Sequence, residues 1–252
     1  MDNTEKGTSL ETRIITRSLT EEDHLIIMEL LKNIEESSLK KPDFSDCLRK
    51  IYQQYNENDL MNLRTYTGYN FKSINAVLRN TWNYEENGLL TEEKEADFQN
   101  RATEISRIIK EAPTIEEPFI TYRGTTLKEF KKYGITTIEE LSHLKGKYLY
   151  ESGFTSTSIN EETSYFSKEI EGIDHNIEIV YLIPSNCQAG IPLTTKDLSY
   201  SPAQQEYLLD CGSLSKVLKV EVINNQAILT VMVIPKYLWD KKPKEATSEI
   251  TK

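Results

Sequence analysis

Three short pieces, far apart in the chain, carry residue types that could act on one ligand: Tyr122-Arg123-Gly124, Phe154-Thr155-Ser156-Thr157-Ser158 and Gln204-Gln205-Glu206. Arg123 offers a planar, permanently charged fork suited to phosphate oxygens, and Gly124 beside it lets a ligand approach the backbone closely. A carboxylate such as Glu206 stabilises the positive charge that develops on an anomeric carbon as a glycosidic bond breaks. On an extended segment Gln204 and Glu206 would share a face, as would Ser156 and Ser158. The Gln204 amide is no base, yet it donates and accepts hydrogen bonds to a second substrate. The serine hydroxyls would fix the rotamer of Glu206. Together the pieces suit a nicotinamide dinucleotide. Singly each is common: a solvated arginine, a polar loop edge, a Ser/Thr-rich strand.

The elements that must position these residues fall into two kinds. From Leu19 to about Ala112 the pattern is helical. Thr20 ahead of Glu21, Glu22 and Asp23 reads as a cap, and Leu25, Ile26, Met28, Leu30, Leu31 and Ile34 follow at helical spacing. Further helices are predicted from Asp46 to Tyr55, with Leu48, Ile51 and Tyr52 inward, and from about Asp59 to Tyr66, ended by Gly68. Another runs from Phe71 to Trp82 with Ile74, Val77 and Leu78 on one stripe, and a last one is capped by Thr91 with Phe98, Ala102, Ile105 and Ile108 inward. After Pro113 the chain reads as strands with little helix between them: Phe119 to Arg123, Tyr148 to Tyr150, Phe154 to Thr157, Ile177 to Ile183 and a segment headed by Gln204-Gln205-Glu206. Val217 to Ile223 and Ala227 to Ile234 form a hairpin about Asn224-Asn225. Helices first and strands second predict an α+β fold, a layer of N-terminal helices on a mixed or antiparallel sheet. The expected organisation is one domain over 19–239, helical over 19–112 and β-rich over 113–239, between flexible segments at 1–18 and 240–252.

Composition narrows the function classes. The chain has 252 residues, 38% hydrophobic and 28% charged, enough for a sizeable core under a solvated surface. A net charge of −10 argues against a surface that tracks nucleic-acid phosphates. No apolar run approaches the ~20 residues that cross a bilayer. Met1 to Arg17 lacks the apolar core of a secretory signal, so either export uses another route or a leader was removed. Cys47, Cys187 and Cys211 form no Cys-x-x-Cys pair and the chain has three histidines, which supports neither a zinc site nor a disulfide scaffold.

In this order the pieces resemble the bacterial mono-ADP-ribosyltransferase toxin family, from about Leu19 to Pro235. Tyr66-Thr67, Ile74-Asn75 and Leu78-Arg79 are similar to the helix that precedes the core in its clostridial-type branch and touches the dinucleotide. The resemblance implies an ADP-ribosyltransferase-like β-sandwich core and NAD as co-substrate, with no metal. It implies NAD contacts from Arg123, Gly124, Arg79, Asn75, Thr67, Thr157 and Phe166, the last on a loop that folds over nicotinamide. It implies catalysis by Glu206 with Gln204 and Ser156. Gln204, where much of the family carries an acid, resembles the Rho-modifying single-domain exoenzymes that act on asparagine. That likeness implies a secreted, monomeric toxin working in the host cytoplasm on a Rho-type small GTPase, with Tyr200 and Gln204 meeting the protein. Other acceptors stay open: actin, another GTPase, a glutamine side chain, or water in an NAD glycohydrolase. So does a non-catalytic NAD-binding interaction module.

Overall fold

The computed structural model describes residues 19–37, 39, 41–164, 169–170 and 173–240. Phe166, segment 1–18 and all but the first residue of 240–252 lie outside the described residues. Helix α1 (Glu21–Glu36) starts at a capping box: Asp23 N–H donates to the Thr20 hydroxyl, and Thr20 N–H to the Asp23 carboxylate at 2.8 Å. Its buried stripe is Ile27 and Ile34, flanked by Ile26, Leu30 and Leu31. Leu25 and Met28 are 71% and 52% exposed. At ~100° per residue they fall well off a stripe centred on Ile27, Leu31 and Ile34.

Helix α2 (Ser45–Gln54) buries Cys47 and Ile51 and leaves Tyr52 exposed. Helix α3 (Glu57–Thr65) does not stop at Gly68; the chain runs through a π-helical turn (Tyr66–Asn70) into α4 (Phe71–Leu78). Helix α4 ends short of Trp82 because Asn80 turns left-handed, at φ 52°. A short α5 (Tyr84–Asn87) and the long α6 (Glu92–Glu111), capped by Thr91, complete this part.

The strands are β1 (Phe119–Thr125), β2 (Tyr148–Glu151), β3 (Thr155–Ser158), β4 (Glu169–Ile170), β5 (Ile173–Asp174), β6 (Ile177–Ile183), β7 (Gly190–Leu193), β8 (Glu206–Leu209), β9 (Ser213–Ile223) and β10 (Gln226–Ile234), before a last turn of helix, α7 (Lys236–Trp239). There is more helix between strands than expected, as 3₁₀ segments at Leu127–Tyr133 and Glu139–Leu144. Eight strands hydrogen-bond in the order β2-β9-β10-β6-β1-β3-β8-β7, antiparallel except for β6 with β10. The β9–β10 hairpin turns at Asn224 and Asn225, at φ 50° and 61°, a conformation that asparagine tolerates.

One junction decides where a site can form. Strands β1 and β3 share a single registered pair, Tyr122 with Ser158, whereas β1 and β6 pair along their whole length. The sheet therefore folds there on itself. Phe119, Ile179, Tyr181, Val217 and Val231 from one half enclose a core with Tyr207 and Leu209 from the other, and the Phe119 and Tyr207 rings meet edge-on at 5.1 Å. Helices lie on both outer sides. Ile51, Leu63, Ile74, Ile105 and Ile108 cover Ile191 and Leu208, while Ile27 and Ile34 cover Leu182, Leu214 and Met232. The expected α+β architecture is the one found, with α1 split from the other helices. Among the described residues no helix is long and apolar enough to cross a membrane.

The strand that carries Glu206 is held by a close backbone approach. A Cβ on Gly190 would lie 2.4 Å from the Leu208 carbonyl oxygen, a backbone atom that cannot step aside. Gly190→Ala is expected to cost roughly 2–3 kcal/mol through overpacking, read as a lowered urea midpoint. An unchanged midpoint would mean that β7 and β8 part easily.

Candidate active site

Where the sheet folds, the ends of three strands open onto one cleft. It is lined by Tyr122, Arg123 and Gly124 of β1, Ser156, Thr157 and Ser158 of β3, and Gln204 and Glu206, with Thr163 and Ser164 at its edge. Gln204 does not lie on an extended strand. It closes a 3₁₀ turn that begins at Pro202, and Gln205 is left-handed at φ 49°, so strand β8 starts only at Glu206. Proline at the head of a tight turn and a left-handed corner outweigh the strand pattern. The two side chains reach the same cleft across a corner rather than by alternation.

The hydroxyls divide the work. The Ser156 hydroxyl beside Glu206 favours the ionised form of that carboxyl. Ser158 instead donates to the Gln204 carbonyl at 2.8 Å, and Thr163 donates to the same oxygen at 3.1 Å, so the corner is pinned from the neighbouring strand. Thr157 turns the other way and donates to the Tyr207 carbonyl at 2.7 Å, which ties β3 to β8. Gly124 gives its N–H to the Ser164 carbonyl.

Charge at the cleft is carried by one buried carboxyl, Glu206, and by the partly buried Arg123 and Glu129. Glu206 is 6% exposed. Burial pushes its carboxyl up to about 7, against the Ser156 hydrogen bond and the Arg123 charge, which both favour the ionised form. Arg123 donates from Nη1 to the Ser156 carbonyl at 3.0 Å and from Nη2 to Glu129 at 2.6 Å, while its buried Nε has no hydrogen-bond partner. Burial disfavours its charge, but Glu129, Tyr181 and Glu151 more than offset this and hold it above the usual arginine range. Burial likewise works against ionised Glu129, yet the Arg123 and Arg79 charges prevail and lower it.

The residues of the preceding helix stand one step back. Arg79 donates from Nε to Glu151 at 2.7 Å and from Nη2 to the Phe154 carbonyl at 3.2 Å. Asn75 accepts the Phe154 N–H at 2.8 Å and donates to the Tyr66 hydroxyl. Both thus clamp the loop that enters β3, against Gly153, where a Cβ would sit 2.8 Å from Asn75 Oδ1. Thr67 is not among the cleft-lining residues: its hydroxyl donates to the Arg64 carbonyl and accepts the Tyr200 N–H. Tyr200 also lies outside the lining, half exposed on the loop before Gln204. Sequence reasoning missed Glu129, Glu151 and Thr163. The six-residue step from Arg123 to Glu129 leaves β1 at Thr125 and enters a 3₁₀ turn, so no single helix or strand period links the two residues.

Among the described residues no group of three His, Cys, Asp or Glu side chains could hold a metal ion. The cysteines are free, and burial pushes the Cys47 and Cys187 thiols up to about 11 and about 12.

The family model described as ADP-ribosyltransferase exoenzyme matches residues 38–236, most of the chain. The chain belongs to this family. Among solved structures, the exoenzyme fold is similar to C3stau2 from S. aureus with NAD, at 21% identity and a TM-score of 0.58 over 80% of this chain and 100% of that one. It is similar to the C3larvin toxin, an ADP-ribosyltransferase from Paenibacillus larvae, at 19% identity and a TM-score of 0.54 over 76% and 94%. It is also similar to the ADP-ribosylating toxin BECa of a C. perfringens binary enterotoxin with NADH, at 19% identity and a TM-score of 0.55 over 75% and 46%. At these identities the likeness is one of fold. No curated protein matches the chain.

A raised carboxyl pKa has a definite signature in stability. From about 4.5 to about 7 the folded chain holds a proton on Glu206 that the unfolded chain has lost, so this group's contribution to stability falls as pH rises through that window. Glu206→Gln removes the dependence. Relative to the native chain the variant should gain on the order of 3 kcal/mol between pH 4.5 and pH 8 in urea unfolding. Parallel pH curves for the two proteins would show that Glu206 titrates normally.

Proposed function

We propose that this exoenzyme is an NAD-dependent mono-ADP-ribosyltransferase toxin that transfers ADP-ribose to a protein side chain and releases nicotinamide. The observation that carries the reading is the convergence of Arg123, Ser156, Gln204 and Glu206 on one cleft. The presence of NAD with C3stau2 and of NADH with BECa supports a nicotinamide dinucleotide as the substrate.

In the proposed mechanism, Arg123 in the cleft wall brings its permanent charge to the pyrophosphate. Arg79, at the end of α4, holds the loop before β3 and so the strand that presents Ser156. The bond between the nicotinamide nitrogen and the ribose C1′ breaks with its electron pair going to nicotinamide, which leaves an oxocarbenium-like sugar. Ionised Glu206, with its rotamer fixed by Ser156, stabilises that charge. The acceptor nitrogen then bonds to C1′, and its proton passes to water. Pinned by its backbone, the Gln204 amide meets an amide acceptor through paired hydrogen bonds, which favours an amide side chain, here proposed to be asparagine on a Rho-type small GTPase. A secreted protein acting in the host cytoplasm fits a family of exoenzymes.

Because the working form of Glu206 is the carboxylate, kcat/KM for NAD should rise with pH around a midpoint near 7. Ser156→Ala, which removes a hydrogen bond favouring that form, should move the midpoint upward. A rate flat from pH 5.5 to pH 8.5 would deny Glu206 this role.

The direct test supplies labelled NAD and a host-cell lysate and identifies the protein band that gains label. Glu206→Gln should reduce labelling at least ~100-fold, as loss of a charge-stabilising group does. Gln204→Glu should reduce protein labelling ~10-fold more than it reduces nicotinamide release, because the amide serves the acceptor. Equal losses from Gln204→Glu would mean that the amide maintains the cleft instead, and full labelling by Glu206→Gln would remove the mechanism.

A further inference from the structure

The π-helical turn Tyr66–Asn70 interrupts an otherwise continuous α3–α4 helix, and it is not explained by the cleft. Such turns are rare and concentrate at functional sites. Gly68 at its centre is not in the left-handed region, so no backbone demand calls for glycine there. Glycine within a helix costs ~1 kcal/mol relative to alanine. What calls for it is space. A Cβ on Gly68 would lie 2.5 Å from Cδ2 and 2.8 Å from Cε2 of the Tyr200 ring.

Two neighbours of Gly68 hold the same tyrosine. The Thr67 hydroxyl accepts the Tyr200 N–H at 3.0 Å, and the Arg64 guanidinium carbon stands 4.7 Å from the centre of its ring. Arg64 Nε is buried with no hydrogen-bond partner, so ring packing holds this guanidinium more than an acceptor does. Tyr200 nevertheless keeps 47% of its surface exposed. Immobilising an aromatic side chain while leaving it in solvent adds little to the core. It suits an anchor whose ordering cost is met before a partner arrives.

The loop beyond Tyr200 is stiff as well. Ser201 N–H donates to the Ser199 hydroxyl at 3.0 Å, Gln204 N–H closes on the Ser201 carbonyl at 3.0 Å around Pro202, and Ser158 and Thr163 hold the Gln204 carbonyl. The segment from Tyr200 to Gln204 is thus fastened at one end to the π-turn and at the other to β3.

We propose that Arg64, Thr67 and Gly68 are positioning residues for the protein substrate: the π-turn clamps Tyr200 and so sets the reach of the Gln204 amide toward the acceptor. This rests on the transferase reading above and deepens it, because it separates recognition of the acceptor from handling of NAD.

Gly68→Ala tests the clamp with little risk to the fold, since alanine favours a helix and the atoms it meets belong to a half-exposed ring. Nicotinamide release from NAD in the absence of acceptor should stay within ~2-fold of the native chain, while labelling of protein in a host-cell lysate should fall ~10-fold, as for loss of an interface anchor. Tyr200→Ala should fall as far in labelling, and the double variant no further, as coupled residues behave. Independently of activity, exchange of the Tyr200 backbone amide should quicken at least ~10-fold in Gly68→Ala and in Thr67→Val. Full labelling by Gly68→Ala, additive losses in the double variant, or an unchanged Tyr200 amide would each overturn the clamp. A native chain that releases nicotinamide but labels no protein would overturn the transferase reading, and the clamp's purpose with it.

Discussion

Placing a carboxyl group under the surface at the head of β8 constrains everything near it. An ionised carboxylate removed from water is costly unless charge and hydrogen bonds replace the lost hydration. Arg123 is the nearby cation, but its direct ion pair is with Glu129 and not with Glu206. The division matters. A tight, paired contact between Arg123 and Glu206 would hold that carboxylate well below neutral pH and exhaust it on a protein partner. Here Glu206 feels Arg123 only through space, receives one hydroxyl from Ser156, and stays near 7. It is left with capacity to gain stabilisation when positive charge forms beside it. Glu129 is equally necessary to this arrangement, because a partly buried guanidinium with no carboxylate of its own would draw on Glu206.

The architecture makes that separation possible. Strands that pair along their whole length leave no room between their side chains, and β1 with β6 is such a pair. Strands β1 and β3 diverge after Tyr122 and Ser158, so the polar ends of β1, β3 and β8 face an opening instead of one another. Closing the sheet there would fill the cleft; parting it further would lose the Phe119–Tyr207 contact that joins the halves. The helices enter by way of the loop before β3. Asn75 and Arg79 hold the Phe154 backbone from both sides, so the register that presents Ser156 is set by α4.

Much of this could be read from residue order. The strong apolar run at Ile177–Ile183, the hairpin at Asn224-Asn225 and the cap at Thr20 are local signals with local causes, and the structure follows them. The three pieces around Arg123, Ser156 and Glu206 were legible because each chemical role needs a distinctive side chain. What stayed hidden depended on distance in the chain or on irregular backbone. Glu129 is meaningful only once a 3₁₀ turn folds it back onto Arg123. Gly68 looks like a helix stop until the Tyr200 ring, 132 positions further on, is seen to occupy the missing Cβ's place. Gln204 and Glu206 look like neighbours on a strand face until Pro202 and left-handed Gln205 insert a corner. Leu25 and Met28 share the apolar composition of their helix but not its buried phase, since phase and not composition decides which side is covered.

The corner at Gln205 bears on why such a cleft would favour a protein acceptor over water. In the proposed mechanism a sugar cation held by Glu206 would react with whichever nucleophile stands in line with C1′, and water needs no orientation. A side chain on another protein gains the advantage only if its approach is already defined when the cation forms. An extended Gln204–Glu206 segment would place the acceptor-facing amide on the same rigid ladder as the charge-stabilising carboxylate, so that any adjustment toward a partner would disturb the chemistry. With a 3₁₀ turn and a left-handed residue between them, the two groups have separate supports: Glu206 belongs to β8, while Gln204 hangs from Ser158 and Thr163. Acceptor preference can then change through the turn while the charge arrangement around Arg123 and Glu206 stays as it is.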